Sequence, residues 1–165
     1  MLLALTVSGF YVFLSVVVGL LVLLVLAKSL LGIVVIGELE VGIVAKKFAR
    51  TSLGPGRLIA LEGEAGLQAD TLAPGWHFFL WPWQFAVTKE SVMVVPQGEI
   101  GLVVANGGAP IPPSHMLGRV IDCNDYQDAR SFLAKGGEKG RQLGILTAGT
   151  YRINTALFTI RRWSI

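Results

Sequence analysis

The chain has 165 residues, 53% of them hydrophobic and only 15% charged, with a formal net charge of +3. Typical soluble domains carry about 25% charged residues, so the apolar excess must be located before a class is read. The mild, dispersed positive charge argues against nucleic acid as a partner, and the single cysteine, Cys123, excludes an intrachain disulfide and a multi-cysteine metal site.

The excess is local. No charged side chain precedes Lys28, and residues 29–37 are uncharged as well. The remainder, from Glu38 onward, has ordinary domain composition and enough length to bury a core. A helix crossing a hydrocarbon core of ~30 Å needs about 20 apolar residues, and the run at 9–27 supplies them. A cleaved signal peptide would need a basic start and a shorter apolar stretch; this sequence has neither. At ~1.5 Å per residue, the first 36 residues do not suffice for two crossings and a turn. Residues 1–36 therefore read as a single transmembrane anchor. Lys28, Lys46, Lys47, Arg50 and Arg57 follow it and no basic residue precedes it, which predicts a cytoplasmic C-terminal domain on the inner cell membrane.

Beyond the anchor, short Val- and Ile-rich segments alternate with Gly and Pro signals such as Gly54-Pro55-Gly56, Pro74-Gly75 and Gly107-Gly108. Strands are expected at 39–48, 57–61, 84–88, 91–95, 99–105, 145–148 and 151–153. A helix is expected at 125–134, capped by Asn124 or Asp125, with Tyr126, Ala129 and Leu133 as its apolar stripe and Gly136-Gly137 as its stop. The fold class is α+β, strand-dominated, with a helix late in the chain. Glu40-Val41-Gly42-Ile43-Val44 recurs as Glu99-Ile100-Gly101-Leu102-Val103, and each copy is followed by a glycine-led aromatic strand, Gly75-Trp76-His77-Phe78 and then Gly149-Thr150-Tyr151-Arg152. Two small, similar β-rich subdomains in tandem are expected, at 37–96 and 97–165.

These motifs, in this order, resemble the stomatin–prohibitin–flotillin superfamily (the SPFH or Band 7 domain), and within it the flotillin-like bacterial membrane proteins. The resemblance runs from Gly37 to Phe158. It includes Gly63-Glu-Ala-Gly-Leu-Gln, Phe132-Leu-Ala-Lys-Gly-Gly-Glu-Lys-Gly-Arg-Gln and Ala148-Gly-Thr-Tyr-Arg-Ile-Asn. It implies a non-enzymatic scaffold that forms homo-oligomers on the bilayer and organises microdomains and client membrane proteins. Members of the family continue into a coiled coil; here no heptads follow Phe158 up to Ile165, so the resemblance is to the front part of such a protein. The alternative is a regulatory subunit of a membrane protease or another membrane enzyme.

Catalysis has little to draw on. His77 and His115 lie in unlike contexts, no HExxH, CxxC or phosphate-loop pattern occurs, and no cofactor or metal is expected. The flanking Asp122 and Asp125 would raise the pKa of Cys123 rather than activate it. The candidate site faces the membrane instead. Trp76, Trp81 and Trp83 lie in one aromatic run, which serves either as core or as an interfacial belt, because the indole ring is apolar while its N–H still seeks a partner. Lys46, Lys47 and Arg50 follow the anchor closely enough to meet anionic headgroups.

Overall fold

A computed structural model describes residues 2–54 and 56–164, with side chains from Gly9 onward except that of Lys28. Pro55, where a turn is expected, lies outside the described residues, as does the Lys28 side chain used in the topology reading.

The chain is α+β. Helix α1 (Leu2–Leu31) is followed by strands β1 (Val34–Ile36), β2 (Glu40–Lys46), β3 (Ile59–Ala60), β4 (Gly66–Leu72), β5 (Gly75–His77) and β6 (Phe85–Ser91). Then come β7 (Met93–Val95), β8 (Glu99–Ala105), helix α2 (Ala129–Ala134), β9 (Gly140–Leu146), β10 (Gly149–Tyr151) and β11 (Phe158–Ser164). Within α1, Gly9–Leu31 is 23 residues long and apolar enough to cross a membrane, and the apolar window is not buried inside the protein. Only Gly32 and Ile33 separate α1 from β1.

The strands form two units with one pairing plan. In the first, β1 pairs with β5, and β2 is flanked by β4 and β6, all antiparallel, with β3 added parallel to β4. In the second, β7 pairs with β10, β8 is flanked by β9 and β11, and Gly118 bridges to Gln142 in parallel. A register shift falls at Ile43/Ala45 in β2 and at Leu102/Val104 in β8. Gly42 and Gly101 explain the paired glycines. A Cβ at Gly42 would press on Leu72 and Ile36, and one at Gly101 on Leu146, Ile160 and Val95, so each central strand needs a bare backbone where the first strand of its unit and its sheet neighbours crowd in.

The repetition reaches side chains that the pentapeptide echo did not cover. Gly63-Glu64-x-Gly66-x-Gln68 corresponds to Gly137-Glu138-x-Gly140-x-Gln142. Both carboxylates are buried, yet each is compensated. The Glu64 carboxylate accepts the N–H groups of Leu61 and Glu62 and meets Arg57 at 3.1 Å. That of Glu138 accepts the N–H of Arg119 and meets His115 at 3.2 Å and the Arg119 guanidinium at 3.4 Å. Gln68 donates to the carbonyls of Glu64 and Gly66, and Gln142 to those of Glu138 and Gly140. Gly66 and Gly140 take φ of 122° and 121°, a region open to glycine and strained for other residues.

One core joins the units. Phe132, Leu157, Phe158, Leu146 and Val103 of the second unit cluster with Ile59 and Ala69 of the first. Asn154, fully buried, donates to the carbonyls of Gln68 and Ala69 at 3.1 and 3.0 Å. From α2, Arg130 forms a two-pronged pair with Asp70.

Several boundaries differ from the sequence reading. The helix begins at Ala129, not 125, because Asn124, Asp125 and Tyr126 all have positive φ and Asp128 is the cap, accepting the N–H of Ser131 at 2.8 Å. Strand β9 occupies Gly140–Leu146 rather than 145–148, and β10, Gly149–Tyr151, follows the glycine-led segment 149–152 rather than 151–153. Strands β1, β4 and β11 lie outside the expected segments. Strand β1 is Val-Val-Ile and was absorbed into the apolar run read as anchor over residues 1–36. The Gly, Gln and Asp of β4 and the paired arginines of β11 obscure a strand pattern, which tertiary pairing overrides.

Candidate functional site

The last carbonyls of a helix have no partners within it. At the C-terminal end of α1 the segment 79–81 supplies them. Phe79 N–H donates to Leu31 O at 2.9 Å, Leu80 N–H to Gly32 O at 3.0 Å, and Trp81 Nε1–H to Leu30 O at 2.7 Å. Gly32 turns the chain out of the helix at φ +57°, the usual left-handed cap. A Cβ there would lie 2.7–2.8 Å from the backbone of Leu80 and Trp81. Phe79 itself has φ +64°, a conformation that costs a non-glycine residue about 1–3 kcal/mol and that these bonds hold in place.

Around this joint stands an aromatic collar. The Trp81 and Trp83 rings stack at 5.6 Å, and Phe79 meets Trp81 edge-on at 6.0 Å. Trp76, Phe78, Phe79 and Trp83 are all exposed, whereas Trp81 is half-buried against the helix end. Thus four aromatics of the run are surface groups, and Trp81 is the one whose side chain hydrogen-bonds the helix end. Trp76 sits on β5 opposite Val35 of β1, which leads directly from the anchor. Lys47 joins the collar: its N–H donates to Gln84 O, and Nζ donates to Pro82 O, both at 2.7 Å. Arg50 is exposed further along the same loop. Lys46 points elsewhere, with Nζ donating to Gly63 O at 2.8 Å. Phe78, Phe79 and Gly32 were not singled out from sequence. The signal for Phe79 was its place within an uninterrupted aromatic run; the close approach at Gly32 is a long-range contact with no local signature.

The histidines and the cysteine do not meet. His115 Nε2 faces Glu138, and His77 Nε2 lies 2.8 Å from Ala73 O. Cys123 is in the core, and burial is the main cause that raises its thiol pKa, with Asp128 and Asp122 adding to it. Among the described residues no group of three His, Cys, Asp or Glu side chains is placed to hold a metal ion.

Comparison with protein-family models, with curated proteins and with solved structures returns no match for this chain.

Proposed function

We propose that this chain is a membrane-anchored scaffold: α1 spans the bilayer, the collar lies at headgroup level, and the β-rich units self-associate in the plane of the membrane to organise client proteins. The observation that carries this reading is the joint at residues 30–32 and 79–81. A tether for an independent enzyme domain works best as a flexible linker. Here three hydrogen bonds and a glycine with no room for a side chain make anchor and first unit one rigid piece. Rigid attachment fixes height and tilt, so copies diffusing in one bilayer present the same faces to one another. That reduces the ordering cost of lateral association.

The collar supports the membrane placement. Its exposed aromatics would be an uncovered apolar patch in water, while Trp at the end of an apolar span suits the interface. Lys47 stands beside them for anionic headgroups. The order of Glu40-Val-Gly-Ile-Val, Gly63-Glu-Ala-Gly-Leu-Gln and Gly98-Glu-Ile-Gly-Leu-Val behind an apolar helix is the resemblance to SPFH proteins, and the repeated strand plan is consistent with two SPFH-like subdomains. On this reading the domain is cytoplasmic and the anchor lies in the cell membrane.

Sedimentation of the detergent-solubilised chain, with negative-stain imaging, tests the proposal. Large, regular oligomers are expected. A strict monomer in detergent and in lipid nanodiscs overturns it, and a stoichiometric protease recovered by crosslinking would make the chain a regulatory subunit instead.

A further inference from the structure

The two units are alike in pairing but not in what covers them. In the first, the sheet face holding Ile59 and Ala69 lies against the second unit: both belong to the shared core, and Asn154 binds the carbonyls of Gln68 and Ala69. Ile43 is buried as well. The same positions in the second unit follow from the shared register. Ile43 corresponds to Leu102, Ile59 to Leu117 and Ala69 to Leu143. Exposure rises from 5% to 39%, from 3% to 40% and from 2% to 60% across these pairs. Ile145 and Trp163 extend this open face, which forms a groove of about 610 Å³. An apolar face that is core in one unit and bare in its twin marks an interaction surface.

Charge selects the occupant. Arg141 and Arg161 line the groove, so two such faces meeting directly would oppose like charges. The second unit and its tail, 97–165, carry eight Lys and Arg against five Asp and Glu; residues 33–96 carry five against six. The first unit also has an acidic apolar knob. Leu39, 72% exposed, stands at the β1–β2 turn between Glu38 and Glu40, and Val92 N–H donates to its carbonyl, so exposed Glu90 is close by. Lys89 pairs with Glu40 at 3.9 Å, so the acidity of this edge rests on Glu38 and Glu90. In the second unit the matching turn holds Gln97 and Gly98, so the strand plan does not require the knob.

We infer that the open face of the second unit, built on Leu102, Leu143, Ile145 and Trp163 with Arg141 and Arg161, is the seat for a second copy of this chain, which enters by the Glu38–Leu39–Glu90 edge of its first unit. The contact is head-to-tail, each copy using one face and offering the other, so it propagates into a ring or an open array. This inference rests on the self-association proposed above and names its surfaces.

A photo-crosslinking residue at position 143, in the full chain reconstituted in nanodiscs or liposomes, tests it. Crosslinks to residues 37–41 or 89–92 of another copy are expected. The double variant Leu143→Glu/Ile145→Glu should weaken association at least tenfold, with circular dichroism and thermal midpoint unchanged because both side chains are exposed. Oligomers that form normally in this variant, or crosslinks from 143 to the second unit of another copy or to lipid alone, overturn the assignment while leaving the scaffold intact. A parent chain that never associates overturns both.

Discussion

Trp81 and Asn154 occupy the same place in their two units. The carbonyl of each accepts two N–H groups from the turn before the unit's last strand: Gln84 and Phe85 for Trp81, Leu157 and Phe158 for Asn154. Each then donates its side-chain N–H to a part of the chain that precedes its unit. Trp81 reaches Leu30 O at the end of the anchor, and Asn154 reaches Gln68 O and Ala69 O on β4. One turn thus serves as a clamp twice, first on the helix and then on the neighbouring unit. The residue type follows the depth: a large, half-exposed indole beside the anchor, and a small amide where nothing is exposed.

Asn154→Ala should separate the units. The amide also holds its own turn, since Oδ1 accepts Ala156 N–H at 3.1 Å, and its removal leaves buried carbonyls without a donor. A loss of about 1–3 kcal/mol is expected, measured by urea denaturation, with hydrogen exchange rising at Gln68, Ala69 and Ala156. An unchanged midpoint would mean that the apolar contacts of Ile59 and Ala69 and the Arg130–Asp70 pair hold the units together without it.

Gly32→Val should release the joint. The backbone there is left-handed, which costs an L-residue about 1–2 kcal/mol, and the new Cβ would press on the Leu80–Trp81 backbone. Limited proteolysis between Leu31 and Val34 should become easy, while the second unit melts as before. Gly19→Ala is the control, because nothing lies within 4 Å of a Cβ at that position. Equal protease resistance in both variants would show that anchor and domain are held together by something other than this contact.

How much of this was legible in sequence depended on where the information lay. Strand β8 was legible to the residue, Glu99–Ala105, because five of its seven side chains are Ile, Leu, Val or Ala between clear turn signals. Strand β11, Phe-Thr-Ile-Arg-Arg-Trp-Ser, looked like a tail, yet all seven residues pair with β8. Its outward arginines hide the pattern. The tryptophans were visible as a group, but their division of labour was not, since Trp81 and Leu30 are 51 residues apart. Nor does any local signal distinguish Ala69, which is buried, from Leu143, which is bare; only the packing of one unit on the other decides that.

Lipids carrying bromine on their upper acyl carbons should quench the collar and spare the second unit. In liposomes, Trp163→Phe should retain the quenching of the parent chain. The triple variant Trp76→Phe/Trp81→Phe/Trp83→Phe, which leaves Trp163 alone, should lose most of it. If instead the triple variant is quenched as strongly as the parent, the open face of the second unit and not the collar lies on the bilayer.

The buried glutamates make the fold acid-sensitive. Hydrogen bonds from the backbone, first that of Glu62 for Glu64 and that of Arg119 for Glu138, hold both carboxyls below the ordinary glutamate value of about 4.3. A carboxyl with a lowered folded-state pKa adds stability above its unfolded value and loses it as pH falls through the folded one. Thermal midpoints should therefore be flat from pH 7 to about 5 and fall below about 4.3. Glu138→Gln should be less stable at pH 7 and should show a shallower acid decline than the parent. A parallel decline in both would place the acid sensitivity in other carboxyls.

Gly144 and Tyr126 offer a double-mutant test of the second core. The Tyr126 hydroxyl is buried facing the Gly144 backbone without a well-formed hydrogen bond, and burial is the main cause pushing its pKa up to about 12. A Cβ at Gly144 would fall within 2.4 Å of that hydroxyl but 3.2 Å from the ring carbon bearing it. Gly144→Ala alone should destabilise by about 1–3 kcal/mol through overpacking. Tyr126→Phe alone should be close to neutral, because it removes a group that left water without gaining a bond. Together they should cost less than Gly144→Ala by itself, a coupling of about 0.5–3 kcal/mol read from chemical denaturation. Strict additivity would mean that the β9 backbone moves away from the ring on its own, and that the hydroxyl does not set how closely strand and aromatic cluster approach.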